Sequence, residues 1–203
     1  SQHEPDFQVK FNENVEAWAV GDGAIMVTNT NQREERLQWT RGMPHALCRF
    51  ANAADSDIAV LALGSGGRYF IRLTSGQSKW QSLDEDFDAA IRDRSSDVKF
   101  VAFGGAPRSP SFVVIYENGG FDSKGIPKRL LNLLRDPNFS VAAVELFEVS
   151  SFYFARNARS GRVRYSMPTN IADTVDDLEA EGYSVKDVKE GADRCWGLRY
   201  SDM

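Results

Sequence analysis

One stretch of this chain recurs with different letters. SGGRYFIRLTSGQSKWQSL, Ser65 to Leu83, returns as RSPSFVVIYENGGFDSKGIP and again as VSSFYFARNARSGRVRYSMP. A fixed period constrains the fold more than any composition value, because each copy must be one small unit that buries its apolar face on its neighbours. An aromatic after each turn marks the period: Trp39, Trp80, Phe121 and Tyr165, roughly forty residues apart. Shortly beyond each come Met43-Pro44, Leu83-Asp84, Ile126-Pro127 and Met167-Pro168. An apolar pair at helical spacing follows every time: Leu47 and Phe50, Phe87 and Ile91, Leu130 and Leu134, Ile171 and Val175. Ile58, Val98, Val141 and Val185 then open the next unit.

Each column has a cause. Segments such as AVLALG (Ala59 to Gly64) and FVAFGG (Phe100 to Gly105) are short and rich in strand-forming residues. They end in Gly, which reads as a buried strand leaving into a turn. RYFIRL, SFVVIY, FYFARN and CWGLRY supply a second strand, and Ser75-Gly76, Asn118-Gly119 and Ser160-Gly161 the positive φ of a tight hairpin. A brief third strand carries the aromatic. Proline suits a first helical turn, where its missing N–H would be unpaired anyway, and Asp84-Glu85-Asp86 suits the helix dipole in the same place. The helices are too short to persist alone and need a sheet beneath them.

The expected architecture is a single α+β repeat domain over 1–203, with βββα units at 15–57, 58–97, 98–140 and 141–184. A fifth unit at 185–203 lacks its third strand, since the chain halts at Ser201-Asp202, where other units turn. DFQVKF, Asp6 to Phe11, alternates apolar and polar residues and is expected to complete it. That pairing gives a closed, propeller-like ring of about five units and removes two exposed sheet edges. The alternative is an open stack of four units that Asp6 to Phe11 merely caps. NTNQREERLQ, Asn29 to Gln38, is a longer polar turn, a binding loop or a solvated insertion.

The consensus of these units is aromatic-x-Val-x-Tyr-x-(Asn/Ser)-Gly-x-x-x-aromatic-x-x-(Leu/Met)-Pro. It resembles tandem repeats of uncharacterised, mostly fungal proteins across nearly the whole chain, and what that resemblance implies is a packing unit without an assigned activity. Trp196-Gly197-Leu198 is similar to propeller lectins of the tectonin kind. Those units lack the helix, so nothing is carried over from them, and a glycan is weighed only as one small polar ligand.

The net charge of −5 argues against a nucleic-acid binder held by a global positive field. No run of about 18 apolar residues exists, so a chain without membrane spans, soluble in an unassigned compartment, is expected. Asn138-Phe139-Ser140 is a sequon that matters only in a secretory compartment. His3 and His45 are expected at the surface. Cys48 and Cys195 read either as buried thiols or, were the first and last units neighbours, as a pair. No phosphate loop, serine-nucleophile elbow or His-Glu-x-x-His stands in the chain, and the acidic helix faces lack a calcium-loop pattern. No cofactor or metal and no catalytic residue is assigned.

Arg72, Arg156 and Arg199 share one position in the second strands and are the candidate anion site. A guanidinium fork matches carboxylate or phosphate, although each could instead pair with an acid nearby. Trp18, Trp39, Trp80 and Tyr165 are candidate stacking platforms, or else the wedges that pack one unit on the next. The functional expectation is a non-catalytic binding module offering loops, grooves or a central channel to a protein or small polar ligand. The alternatives are an enzyme whose Arg layer holds an anionic substrate, and an assembly scaffold.

Overall fold

The computed structural model describes residues 15–21, 24–29, 37–39, 43–190 and 196–202. The same element order runs through it four times. The first unit contains β1 (Val15–Gly21), β2 (Ala24–Asn29), β3 (Leu37–Trp39) and α1 (His45–Asn52). The second has β4 (Ile58–Gly64), β5 (Arg68–Leu73), β6 (Ser78–Gln81) and α2 (Glu85–Ile91). The third has β7 (Val98–Gly104), β8 (Ser111–Tyr116), β9 (Phe121–Lys124) and α3 (Lys128–Leu134). The fourth has β10 (Val141–Leu146), β11 (Tyr153–Asn157), β12 (Val163–Ser166) and α4 (Thr169–Ala180), and β13 (Tyr183–Glu190) with β14 (Trp196–Asp202) ends the chain.

Each unit folds into its own antiparallel sheet. The hairpin between second and third strands turns on Gly76, Gly119 and Gly161, with φ of 87°, 82° and 70°. One irregularity repeats in all five sheets: the register slips between Val15 and Ala17, Ile58 and Val60, Val98 and Phe100, Val141 and Ala143, and Val185 and Asp187. A bulge at the same residue of every first strand bends it there and keeps equivalent residues in common register columns.

The packing is face to face, and each helix fills the gap between its own sheet and the next. Leu47 of α1 joins Ala19, Leu61, Leu63 and Ile71, while Phe87 and Ile91 of α2 join Val60, Phe70, Phe103 and Phe112. Leu130 and Leu134 pack with Val113, Ile115 and Val144; Ile171 and Val175 pack with Phe154, Val185 and Val188. The apolar pairs of the sequence are therefore the helix faces that seal consecutive sheets. Close approach needs glycine where first strands end. A Cβ on Gly64 would meet Phe103 Cβ at 2.6 Å, and one on Gly104 would meet the Phe147 carbonyl oxygen at 2.9 Å. Hydrogen bonds follow the same edge: Ser65 Oγ donates to the Gly105 carbonyl (3.1 Å), Gly105 N–H to the Phe147 carbonyl (2.9 Å), and Glu148 N–H to the Glu190 carboxylate (2.7 Å).

Two parts of the expected architecture are corrected. Among the described residues the protein is mostly β, four α-helices with separate sheets of two or three strands, rather than α+β. Strand pairing does not close these sheets into a ring, because hydrogen-bonded order ends within each of them. The fifth sheet as described has two strands, and Ser201 and Asp202 do not turn: they continue β14 opposite Ser184 and Tyr183. An open stack of four units fails too, since β13 and β14 make a fifth sheet. The strand expected at 6–11 lies outside the described residues, as do His3 and Cys195. His45 is exposed, as expected. Cys48 is a free thiol on α1, and burial pushes its pKa up.

Candidate functional site

The bulged first strands leave room between them. Two cavities, of about 90 and about 130 Å³, are each lined by the first strands of all five sheets. The smaller lies where first strands end, at Gly64, Gly104 and Gly105 beside Arg68. The larger lies toward the bulges, at Ala59, Lys99 and Ala142. Both share Glu145 of β10 and Lys189 of β13.

These two residues hold an informative column. Counted from the bulge, equivalent positions are Ala19, Ala62, Ala102, Glu145 and Lys189. Three small residues open the space, and the last two carry opposite charges that pair with each other. Burial pushes the Glu145 carboxyl above its ordinary pKa, and the Lys189 ammonium opposes that rise. The pair forms a polar wall between the cavities.

Next to it lies a second polar group. Asp187 is only 4% exposed, in the column where other sheets carry Ala17, Val60, Phe100 and Ala143. Trp18 Nε1 donates to its Oδ1 at 2.7 Å, and Arg199 donates to its Oδ2 from Nε at 2.9 Å and lies 2.6 Å away through Nη2. Lys189 sits 5.4 Å from the Trp18 ring centroid, a cation–π contact. A Cβ on Gly197 would lie 2.9 Å from Trp18 Cη2, and the equivalent second-strand residues are Phe70, Val113 and Phe154. The absent side chain makes room for the indole. First and last sheets thus meet through Trp18, Asp187, Arg199 and Lys189.

The candidate arginines divide. Arg72 pairs with Glu117 of the next unit at 3.2 Å, and its Nε is buried without a hydrogen-bond partner. Arg199 pairs with Asp187. Arg156 donates from Nε to the Lys186 carbonyl at 3.1 Å. Burial lowers its pKa, the Asp187 carboxylate raises it, and Arg199 lowers it again. Arg156 and Arg199 therefore share the field of one carboxylate, and Arg72 has its own partner.

The aromatic column joins strand to helix. Trp80 Nε1 donates to Asp88 of α2 at 3.2 Å, and Tyr165 OH donates to Asp176 of α4. Burial first, then the Asp176 carboxylate, raises the Tyr165 pKa. Trp80 and Tyr165 are only partly buried, each packed against an apolar cluster. Trp39 ends β3 opposite Met26. Of Trp18, Trp80 and Tyr165, it is Trp18 that lines one of these two cavities. Sequence reading missed Asp187, Glu145, Lys189 and the buried Arg68, whose guanidinium donates to the Ser65, Gly104 and Gly105 carbonyls at 2.9, 3.1 and 3.2 Å. Among the described residues no group of three or more His, Cys, Asp or Glu could hold a metal ion, and no helix is long and apolar enough to cross a membrane.

Neither the protein-family models nor the curated proteins give a match to this chain.

Proposed function

We propose that this protein is a non-catalytic binding module that takes a small polar ligand between its first strands. The observation that carries the reading is the column Ala19, Ala62, Ala102, Glu145 and Lys189: its alanines line the smaller cavity, and its partly buried charge pair lines both. A buried ion pair contributes little net stability against apolar residues of similar volume, so its placement on a cavity wall favours recognition as its use. Cavities of about 90 and 130 Å³ suit a ligand of a few heavy atoms or one group of a larger molecule, such as one substituent of a glycan. A thermal-shift screen of sugars, nucleotides and carboxylates tests the reading, because a ligand bound to the native state raises the melting temperature. A hit that the double variant Glu145→Gln, Lys189→Met abolishes, with its fold intact by circular dichroism, is expected. A hit indifferent to that variant, or no hit, overturns it.

A further inference from the structure

The charges around the larger cavity do not balance among the described residues. Lys99, Lys189 and Arg199 line it, and Arg156 lies beside it, its β11 position paired with Ala143 of the cavity wall and its Nε on the Lys186 carbonyl. Against these four cations stand two carboxylates, Asp187 and Glu145, which pair with Arg199 and Lys189. Among the described residues Lys99 and Arg156 form no ion pair. Lys99 is half-buried on the bulge of β7, its ammonium 5.5 Å from the centroid of the Phe100 ring. The Arg156 fork beyond Nε makes no hydrogen bond within the described residues, and that edge of the guanidinium is the one suited to two oxygens of a carboxylate or phosphate. Lys99 on the cavity wall and Arg156 beside it thus add positive charge there without an ion pair among the described residues, in a chain whose net charge is −5.

We propose that the larger cavity is a small-oxyanion site, with Lys99 and Arg156 supplying the charge that phosphate or a carboxylate answers. This rests on the binding-module reading and narrows it to one ligand chemistry and one of the two cavities. Of the three arginines singled out by sequence, Arg156 is the contact residue, Arg199 is paired with Asp187 on the cavity wall, and Arg72 plays no part. A bound anion would oppose the burial and the Arg199 charge that lower the Arg156 pKa, as a nearby opposite charge favours the guanidinium's charged form.

The test is isothermal titration of the full chain with inorganic phosphate and, separately, with succinate, at constant ionic strength. At least one oxyanion is expected to bind, and the arm that responds tells phosphate from carboxylate chemistry. Lys99→Met and Arg156→Gln should each weaken binding about tenfold, as loss of one charge-assisted contact does. Lys99→Arg should retain binding and Arg72→Gln should leave it unchanged. Should Lys99→Met unfold, Lys99→Gln with melting temperature as the fold check replaces it. No response to either oxyanion, or variants that bind like the parent chain, overturns the proposal. A neutral sugar that binds while both oxyanions fail overturns the oxyanion site and leaves the binding-module reading standing. Silence from all ligands overturns both.

Discussion

The second and third sheets are joined by Phe87 of α2, which is fully buried. It lies against Phe103 and Phe112 at ring separations of 4.9 and 5.3 Å. The first and last sheets are joined by an indole N–H on a buried carboxylate, with a guanidinium on the other side of that carboxylate. Both contacts bring the first strand of one sheet against a neighbouring sheet, and their physics is opposite. A consecutive interface is made by a helix that the chain places in the gap before it lays down the next sheet. The seam between first and last sheets has no such helix among the described residues, and its fit depends on one large residue, Trp18, entering the space left by one absent side chain, at Gly197. Apolar interfaces tolerate changes in salt and pH. A seam built on Asp187 and Arg199 responds to salt, because ionic screening acts on partly exposed pairs, and Arg199 is one-third exposed.

The largest expected effect lies on the apolar side of the comparison. Phe87→Ala removes a side chain shared by two sheets and leaves a cavity that neighbouring rings cannot collapse to fill. A loss of about 3–5 kcal/mol is expected, read by urea denaturation and equal at low and high salt. A loss below about 1 kcal/mol would show that α2 is not the joint between these sheets.

Asp187→Ala should cost less, about 2 kcal/mol, since it removes the carboxylate that accepts from the Trp18 N–H and pairs with Arg199, while Arg199 keeps some access to water. Its signature is dependence on salt: the gap between parent and variant should narrow from low to high ionic strength. A gap that stays constant would mean that packing, and not charge, holds the seam.

The units were legible because each column reports a local requirement. Glycine at positive φ, proline before a helix and two apolar residues one turn apart are demands of single elements, so a sequence displays them. The misreading at Ser201-Asp202 follows from the same logic. Ser75, Asn118 and Ser160 are each followed by a glycine at positive φ, and Ser201 is not. Without that residue β14 continues instead of turning. The site was less legible, since it forms between first strands far apart in the chain: Trp18 meets Asp187 across a separation of 169 residues. A signal existed nonetheless. Asp187 and the pair Glu145 and Lys189 break columns otherwise made of Ala, Val and Phe, and aligning the first strands as well as the second would have exposed them. The bulge that fixes this alignment has no residue signature: Glu16, Ala59, Lys99, Ala142 and Lys186 occupy it.

The smallest expected effect isolates the shape of the seam from its charge. Gly197→Ala adds one methyl where the Trp18 ring stands, at 2.9 and 3.0 Å from two ring carbons, inside any ordinary contact distance. The ring must tilt or β14 must shift, at a cost of about 1 kcal/mol, the low end of what one added methyl costs in a packed site. Tilting pulls Nε1 away from Asp187, so Trp18 fluorescence should change along with stability. Comparing the variant with its Trp18→Phe counterpart separates the two contributions. Phe has no N–H to place, so if the hydrogen bond sets the cost, adding Gly197→Ala to Trp18→Phe should be nearly free. If the ring's volume sets it, the methyl should remain costly against the smaller ring as well, and the seam would then be a packed interface like the other four.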